Sequence, residues 1–266
     1  MSPRLDAELA ARGLARSRSH AATLVTDGLV RVDGMGVVKP SHSVTAETTI
    51  DVAASDHYVS RAAHKLVAAL DSFAIDVSGR AALDMGASTG GFTQVLRERG
   101  ASRVVAVDVG HGQLAPRVAA DAGVTSIEGF NVRYMTPESL AEAVGEPFSP
   151  DVITGDLSFI SLGHVLPAVR AVSGDDTDIV LLIKPQFEVG RTAVRGGLVT
   201  DAALRADAVS QVLWTAWDQG LGVRGLITSP ILGTHGNSEY VVHLGRRGGS
   251  IPTEWESTVI ELTGVR

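Results

Sequence analysis

The chain of 266 residues contains no cysteine, so it can form neither a disulfide nor a thiolate metal site. It also lacks any run of about 18 apolar residues, and no segment is therefore expected to span a membrane. Residues 1–9 carry charges without an apolar core, which does not fit a secretory signal peptide. We accordingly expect a cytoplasmic protein with no membrane partner and no bound metal.

An excess of positive charge is missing as well, since 23 Lys and Arg residues face 30 Asp and Glu residues and give a net charge of −7. Overall attraction to nucleic acid is therefore not expected. Residues 1–40 differ, because six basic and four acidic residues give them a net charge of +2 and leave −9 for the remainder. Any binding of nucleic acid would have to use local basic patches.

The densest signal in the chain is a glycine-rich turn between an apolar run at residues 81–85 and a predicted helix at residues 92–98. Glycines at a strand-to-helix turn let a ligand approach the main chain, and the helix start offers free N–H groups. The spacing Gly86-x-x-x-Gly90-Gly91 matches neither the dinucleotide fingerprint nor the P-loop. It does fit the hydrolase elbow Gly-x-Ser-x-Gly with Ser88 as nucleophile, an alternative that the small number of preceding strands disfavours.

An acid follows this turn at a distance typical of a ribose-binding residue. The apolar run at residues 103–108 ends at Asp108, 22 positions after Gly86. In an α/β fold, an acid at the end of the second strand can accept hydrogen bonds from ribose hydroxyls. The combination favours a nucleoside ligand without pyrophosphate, and S-adenosylmethionine suits it better than NAD. Asn131, which follows the third predicted strand, is a candidate for contact with the base edge, and a turn-forming role is its alternative.

Four further charged residues stand at the ends of predicted elements: Lys65, Asp156, Lys184 and Glu239. The alternation of strands and helices predicts an α/β fold with a doubly wound, mostly parallel sheet whose last strand is antiparallel. Because ligands lie beyond the carboxyl ends of such strands, Asp156 is expected to face the same crevice as the glycine-rich turn. A neutral Lys184 could accept a proton, whereas a charged one could orient a hydroxyl and stabilise an alkoxide. A purely structural ion-pair network is the alternative.

The first 60 residues indicate a small α+β module in which two short helices precede a few short strands. Its pattern includes Arg4-Leu5-Asp6, Gly13-Leu14, Ser17-Arg18, Leu24-Val25 and Gly34. This pattern resembles the S4 RNA-binding domain. The resemblance implies docking on structured RNA, with phosphate contacts from Arg4, Arg16, Arg18 and Lys39.

The four charged residues, together with the turn from Asp84 to Phe92, resemble the FtsJ/RrmJ type of ribose 2′-O-methyltransferase. Joined to an S4 module, they resemble the TlyA family, formerly labelled haemolysins. This resemblance implies methylation of a cytidine ribose in 16S or 23S rRNA, or in both, and a link to capreomycin sensitivity. It also implies an S4-like domain at residues 1–59, with a linker at about 53–59, and a methyltransferase domain at residues 60–266.

The resemblance also implies roles for individual residues. The implied catalytic tetrad comprises Lys65, Asp156, Lys184 and Glu239. The implied S-adenosylmethionine site comprises Asp84, Gly86, Ala87, Ser88, Thr89, Gly90, Gly91, Phe92, Asp108, Val109, Asn131, Val132 and Asp156. We expect ribosomal RNA or ribosomal subunits as partners and favour a monomer. An RNA-binding protein with an inactive methyltransferase domain and a serine hydrolase that uses Ser88 are the alternatives.

Overall fold

The computed structural model describes residues 3–15, 17–26, 28–37, 39–52, 57–190, 196–233 and 236–265. Its contacts divide the chain into two compact units, Met1–Arg61 and Ala62–Arg266. Arg16 and residues 53–56 of the expected linker lie outside the described residues. No helix within the described ranges is long and apolar enough to cross a membrane.

The N-terminal unit places two helices against a three-stranded antiparallel sheet. Its elements are α1 (Leu5–Ala11), α2 (Arg18–Thr26), β1 (Val30–Val32), β2 (Met35–Gly36) and β3 (Ile50–Val52). Strand β1 lies between β2 and β3. Leu5 and Leu9, four positions apart on α1, share one helix face and are fully buried. The small core that they join comprises Leu5, Leu9, Ala15, Ala21, Leu24, Val25, Val30, Val32, Val44 and Ile50.

The C-terminal unit is built on a seven-stranded sheet. Its strands are β4 (Ala81–Met85), β5 (Arg103–Asp108), β6 (Val124–Glu128), β7 (Val152–Gly155), β8 (Asp178–Ile183), β9 (Gly222–Thr228) and β10 (Tyr240–Gly245). They lie in the order β6-β5-β4-β7-β8-β10-β9, and β10 runs antiparallel to both of its neighbours. The prediction of a mostly parallel, doubly wound sheet with an antiparallel last strand is confirmed.

Helices cover this sheet and complete the α/β architecture. They are α3 (Ala63–Ser72), α4 (Gly91–Glu98), α5 (Pro116–Ala119), α6 (Pro137–Val144), α7 (Leu166–Val172), α8 (Pro185–Glu188), α9 (Ala202–Asp218) and α10 (Glu256–Thr263). Strands that are covered on both faces need apolar side chains throughout, and every residue from Ile179 to Ile183 in β8 is buried.

The register of the parallel strands brings their carboxyl ends level with one another. Met85, the last residue of β4, pairs with Val107 of β5 and with Gly155 of β7. Gly155 in turn pairs with Leu181 of β8. The loops that leave these four strands therefore converge on one edge of the sheet, where an α/β fold binds its ligands.

Candidate active site

The glycine-rich turn after β4 needs its glycines for two separate reasons. Gly86 and Gly90 have φ angles of 77° and 94°, in the left-handed region that favours glycine. A Cβ atom on Gly86 would also lie 2.9 Å from Leu157 Cδ2 and 3.3 Å from the carbonyl oxygen of Asp156. The turn and the loop after β7 thus approach each other more closely than any side chain at Gly86 would allow.

A cavity of about 360 Å³ opens beside this turn at the carboxyl edge of the sheet. Its described lining combines backbone from the turn with residues from the loops after β5, β6 and β7. The lining residues are Gly86, Ser88, Val107, Asp108, Val109, Gln113, Phe130, Val132, Asp156, Ser158 and Phe159. Six of the residues implied for the cofactor are on its wall: Gly86, Ser88, Asp108, Val109, Val132 and Asp156.

Asp108 joins the two loops at one side of the cavity. Its Oδ2 accepts a hydrogen bond of 2.8 Å from the backbone N–H of Ser88, and its Oδ1 accepts one of 2.8 Å from the N–H of Gly110. A carboxylate has about four lone-pair sites, so Asp108 can still accept from a ligand hydroxyl. The geometry suits the ribose-binding role expected of this acid.

Asp84 lies beneath the turn, fully buried, and is not among the described cavity residues. The hydroxyl of Thr93 donates to its Oδ2 at 2.6 Å, and that of Thr154 donates to its Oδ1 at 3.1 Å. Burial raises the pKa of Asp84 to about 6, although both hydroxyls favour the ionised form. The side chain joins β4, α4 and β7, so in this structure Asp84 supports the turn from below.

The other residues implied for the cofactor also lie off the described cavity wall: Ala87, Thr89, Gly90, Gly91, Phe92 and Asn131. Phe92 is buried against the core. The side chain of Asn131 accepts a hydrogen bond from the N–H of Arg133 at 3.1 Å and caps a short 3₁₀ helix. The turn-forming alternative for Asn131 therefore fits this structure better than contact with a base edge.

The four charged residues expected at one side of the sheet form a chain of ion pairs. Lys65 Nζ lies 2.7 Å from Glu239 Oε2 and 3.2 Å from Asp156 Oδ2. Lys184 Nζ lies 2.6 Å from the other oxygen of Asp156. Lys65, Lys184 and Glu239 are all buried, and Asp156 is nearly so and also lines the cavity.

Asp156 stays ionised at the centre of this chain. Burial alone would raise its pKa, but the charges of Lys184 and Lys65 outweigh burial and hold the pKa of Asp156 below its ordinary value. Two lysines and two carboxylates balance one another, which makes their joint burial tolerable.

Ser158 connects the ion pairs to the cavity. Lys184 Nζ donates a hydrogen bond of 2.8 Å to Ser158 Oγ, and Ser158 lines the cavity. An ammonium group has three hydrogens. Lys184 Nζ, which pairs with Asp156 and donates to Ser158, can therefore also donate to a ligand oxygen that approaches Ser158.

Glu239 is held at the other end of the tetrad, next to Gly233. A Cβ atom on Gly233 would overlap the Glu239 carboxyl group. The N–H of Gly233 also donates to the carbonyl oxygen of Asn237 at 2.8 Å. The carboxylate of Glu239 therefore occupies the space that a side chain at Gly233 would need.

The sequence did not single out three of the cavity residues: Val107, Gln113 and Ser158. Val107 and Ser158 could have been found, because both lie near the carboxyl ends of predicted strands. Gln113 lies in the irregular segment between β5 and α5, where periodicity gives no signal. Phe159 also lines the cavity; the residue is 92% exposed, and its ring centroid lies 5.3 Å from that of Phe187.

The residues implied for RNA binding lie on the N-terminal unit. Arg4 donates two hydrogen bonds to Asp6, at 3.0 Å and 2.8 Å, and Arg18 Nε lies 3.3 Å from Asp6 Oδ2. The hydrogen bond from Arg4 lowers the pKa of Asp6 to about 2 despite burial. Asp6 thus holds two exposed guanidinium groups side by side, while Lys39 is exposed.

Comparison with known proteins bears on the identity of this site. The family described as FtsJ-like methyltransferase matches residues 58–246, and the S4 domain matches residues 3–50. The chain is 50% identical over 244 residues to the 16S/23S rRNA (cytidine-2′-O)-methyltransferase TlyA of Mycobacterium tuberculosis, covering 91% of this chain and 89% of that relative. The chain belongs to the TlyA family of FtsJ-like methyltransferases.

Other relatives of this TlyA-family chain carry haemolysin names. Hemolysin A of Brachyspira hyodysenteriae is 38% identical, with 90% of this chain and 98% of the relative covered. A solved structure from Streptococcus thermophilus, also named as a hemolysin, is 35% identical with a TM-score of 0.75, and the match covers 99% of this chain and 96% of that one. An S-adenosylmethionine-dependent methyltransferase structure from Listeria monocytogenes, 14% identical with a TM-score of 0.52 over 71% of this chain and 99% of that one, shares the fold.

Proposed function

We propose that this protein transfers a methyl group from S-adenosylmethionine to the ribose 2′-hydroxyl of a cytidine in ribosomal RNA. The observation that carries the proposal is the buried chain of Lys65, Asp156, Lys184 and Glu239, whose Lys184 end reaches the cavity through Ser158. The TlyA relative with 50% identity acts on cytidine in 16S and 23S rRNA, which supports the same reaction for this chain.

The cavity fits the adenosyl cofactor on grounds of shape and hydrogen bonding. Gly86 leaves space where a Cβ atom would meet the loop after β7, and Asp108 offers acceptors for ribose hydroxyls. Gly86, Ser88, Asp108, Val109 and Val132 would hold the group. When bound, S-adenosylmethionine supplies an electrophilic methyl group on a positively charged sulfur.

The tetrad would position and polarise the 2′-oxygen. The ammonium group of Lys184, which pairs with Asp156 and donates to Ser158, would also donate to the 2′-oxygen and stabilise negative charge as that oxygen loses its proton to water. Lys65 and Glu239 fix Asp156 from the opposite side. Correct placement of the nucleophile alone can supply several kcal/mol of the barrier.

The N-terminal unit would dock on structured rRNA. The match to the S4 domain and the exposed side chains of Arg4, Arg18 and Lys39 support this role. Phosphate contacts from guanidinium and ammonium groups position a protein on nucleic acid without specifying sequence. The choice of cytidine would then come from the methyltransferase unit and not from the S4 unit.

Two other activities receive less support. The hydroxyl of Ser88 donates to Gln113 Oε1 at 3.3 Å, and an amide cannot serve as the general base that a serine hydrolase needs. An RNA-binding protein with an inactive methyltransferase domain would be expected to have a broken tetrad, whereas the four residues are present and paired.

The test is transfer of tritium from labelled S-adenosylmethionine to purified 30S and 50S ribosomal subunits. Wild type should label the rRNA at a position that resists alkaline cleavage, as a 2′-O-methyl group does. Lys184→Ala should reduce the label at least about 100-fold, and Glu254→Ala, at an exposed acid that is not among the described lining residues, should not. Absence of label with the wild type, although it binds the cofactor, would refute the proposal.

A further inference from the structure

Four residues form a closed ring at the ribose side of the cavity. Asp108 accepts from the N–H groups of Ser88 and Gly110, each at 2.8 Å. The Ser88 hydroxyl donates to Gln113 Oε1 at 3.3 Å, and the Gln113 amide lies against Gly110. The ring links the glycine-rich turn after β4 to the loop after β5, so the Gln113 side chain is held from two sides.

Gly110 creates the space that the Gln113 amide occupies. A Cβ atom at Gly110 would overlap Gln113 Nε2 and lie 2.8 Å from its Cδ. The φ angle of Gly110 is not in the left-handed region, so the backbone alone does not require glycine there. Glycine at position 110 therefore leaves the room in which the Gln113 amide lies.

Gln113 differs from the other polar residues that line the cavity because its side chain has N–H groups that can donate hydrogen bonds. Among the described lining residues, the polar side chains are Ser88, Asp108, Gln113, Asp156 and Ser158. Asp108 and Asp156 offer carboxylate oxygens, which accept hydrogen bonds; the hydroxyl of Ser88 already donates to Gln113, and that of Ser158 accepts from Lys184. Of this set, Gln113 supplies the side-chain N–H groups, and its Oε1 is occupied by Ser88 while its Nε2 carries two hydrogens.

The two hydroxyl groups of a ribose need both hydrogen-bond acceptors and hydrogen-bond donors as partners. Each hydroxyl donates one hydrogen bond and accepts others, so a carboxylate satisfies the donors but leaves the oxygen lone pairs without partners. A ligand whose buried polar atoms are left unpaired loses affinity, and a site that pairs them rejects analogues that lack the group. An N–H donor opposite Asp108 completes the recognition of the diol.

We infer that Gln113 is a cofactor-specificity residue, whose amide N–H groups donate to the ribose hydroxyl oxygens of the adenosyl group while Asp108 accepts from them. This inference rests on the proposed function, because it assumes an adenosyl cofactor in the cavity. It assigns to the segment between β5 and α5 the task of distinguishing ribose from a sugar without hydroxyls.

The test measures binding by titration calorimetry and needs no RNA. The ligands are S-adenosylhomocysteine and its 2′,3′-dideoxy analogue. Gln113→Ala should weaken binding of S-adenosylhomocysteine about three- to tenfold and leave binding of the dideoxy analogue unchanged. Gln113→Glu keeps the shape but replaces the N–H donors by acceptors beside Asp108, and it should weaken binding of S-adenosylhomocysteine further.

Gln211→Ala is the matched control, because Gln211 is exposed on α9 and is not among the described lining residues. It should bind both ligands as the wild type does. Equal loss of affinity for both ligands in Gln113→Ala, or no loss for either, would overturn the inference and leave the proposed function intact. Failure of the wild type to bind S-adenosylhomocysteine would overturn the cofactor itself and, with it, the proposed function.

Discussion

Two carboxylates of the C-terminal unit each contact more than one basic side chain, yet they stand at opposite edges of the sheet. Asp156 follows the carboxyl end of β7 and pairs with Lys65 and Lys184 beside the cavity. Asp178 begins β8 at the amino end and contacts Arg80, Arg224 and His243, each at 2.8 Å. An ion-pair cluster therefore does not identify an active site unless it also reaches a cavity.

The two clusters also differ in their basic residues, which are arginines and a histidine at Asp178 and lysines at Asp156. Arg80 and Arg224 also donate to backbone carbonyl groups, Arg80 to that of Asp76 at 2.9 Å and Arg224 to that of Arg247 at 2.7 Å. Guanidinium groups stay charged and match several fixed acceptors at once, which suits a structural cluster. Each lysine at Asp156 carries a compact ammonium group on a flexible stem and can reorient towards a ligand, which suits a catalytic role.

The largest expected effect is the loss of activity in Asp156→Asn. Removing this charge leaves Lys65 and Lys184 without their shared carboxylate, so methyl transfer to rRNA should fall at least about 100-fold. The measurement is single-turnover methylation at saturating S-adenosylmethionine, at a temperature where circular dichroism shows the variant folded. Near-normal turnover would make the tetrad a structural network like the one at Asp178.

Asp178→Asn should lower stability and leave the rate of methyl transfer unchanged. It should lower the free energy of unfolding by about 2 kcal/mol, less than for a fully buried pair because Asp178 and its partners are partly exposed. Its single-turnover rate should match that of the wild type. Urea unfolding at neutral pH measures the first quantity, and a rate defect as large as that of Asp156→Asn would contradict the assignment of this cluster to stability.

A smaller effect is expected from Ser158→Ala. Lys184 loses one of its two fixed partners, so the single-turnover rate should fall about fivefold while the affinity for S-adenosylhomocysteine stays within about twofold. Ser158→Thr keeps the hydroxyl and should recover most of the rate. If Ser158→Thr is as slow as Ser158→Ala, the hydrogen bond to Lys184 is not what matters at this position.

The smallest effect is a pH dependence of stability that belongs to Asp178. Burial alone would raise its pKa, but hydrogen bonds from His243 and Arg80 lower the pKa of Asp178 to about 2. Because the folded-state pKa is depressed, its stabilisation is present above the ordinary carboxyl range and is lost as pH falls towards 2. The difference in urea midpoint between wild type and Asp178→Asn should therefore shrink between about pH 4 and pH 2. A constant difference over this window would exclude Asp178 as the titrating group.

Much of the fold could be predicted from the sequence, because buried parallel strands are short apolar runs. Strands Ala81–Met85 and Arg103–Asp108 have the predicted bounds. Helix Pro137–Val144 was not predicted, although Thr136 and Ser139 form its capping box.

The site was predictable where strand ends determine position and unpredictable where loops do. Asp108 ends its strand, and Asp156 and Lys184 directly follow theirs, so the sheet brings them to one edge. The position of Gln113 depends on the path of an irregular segment, which has no periodicity to read. Asp84 shows a third case, since the sequence places it next to the turn but cannot tell whether its side chain points at the ligand or into the core. The expected domain boundary and the roles of the site residues stay predictions.

The close approach of Gly233 to Glu239 has a consequence for genetics. A selection for cells that lack this enzyme's activity would return substitutions of the four tetrad residues, but it should also return Gly233→Ala and every larger replacement. Such a variant would keep all four charged side chains in its sequence and could not keep Glu239 in its present position. A survey of natural or selected strains that scored only the tetrad would class these inactive alleles as intact.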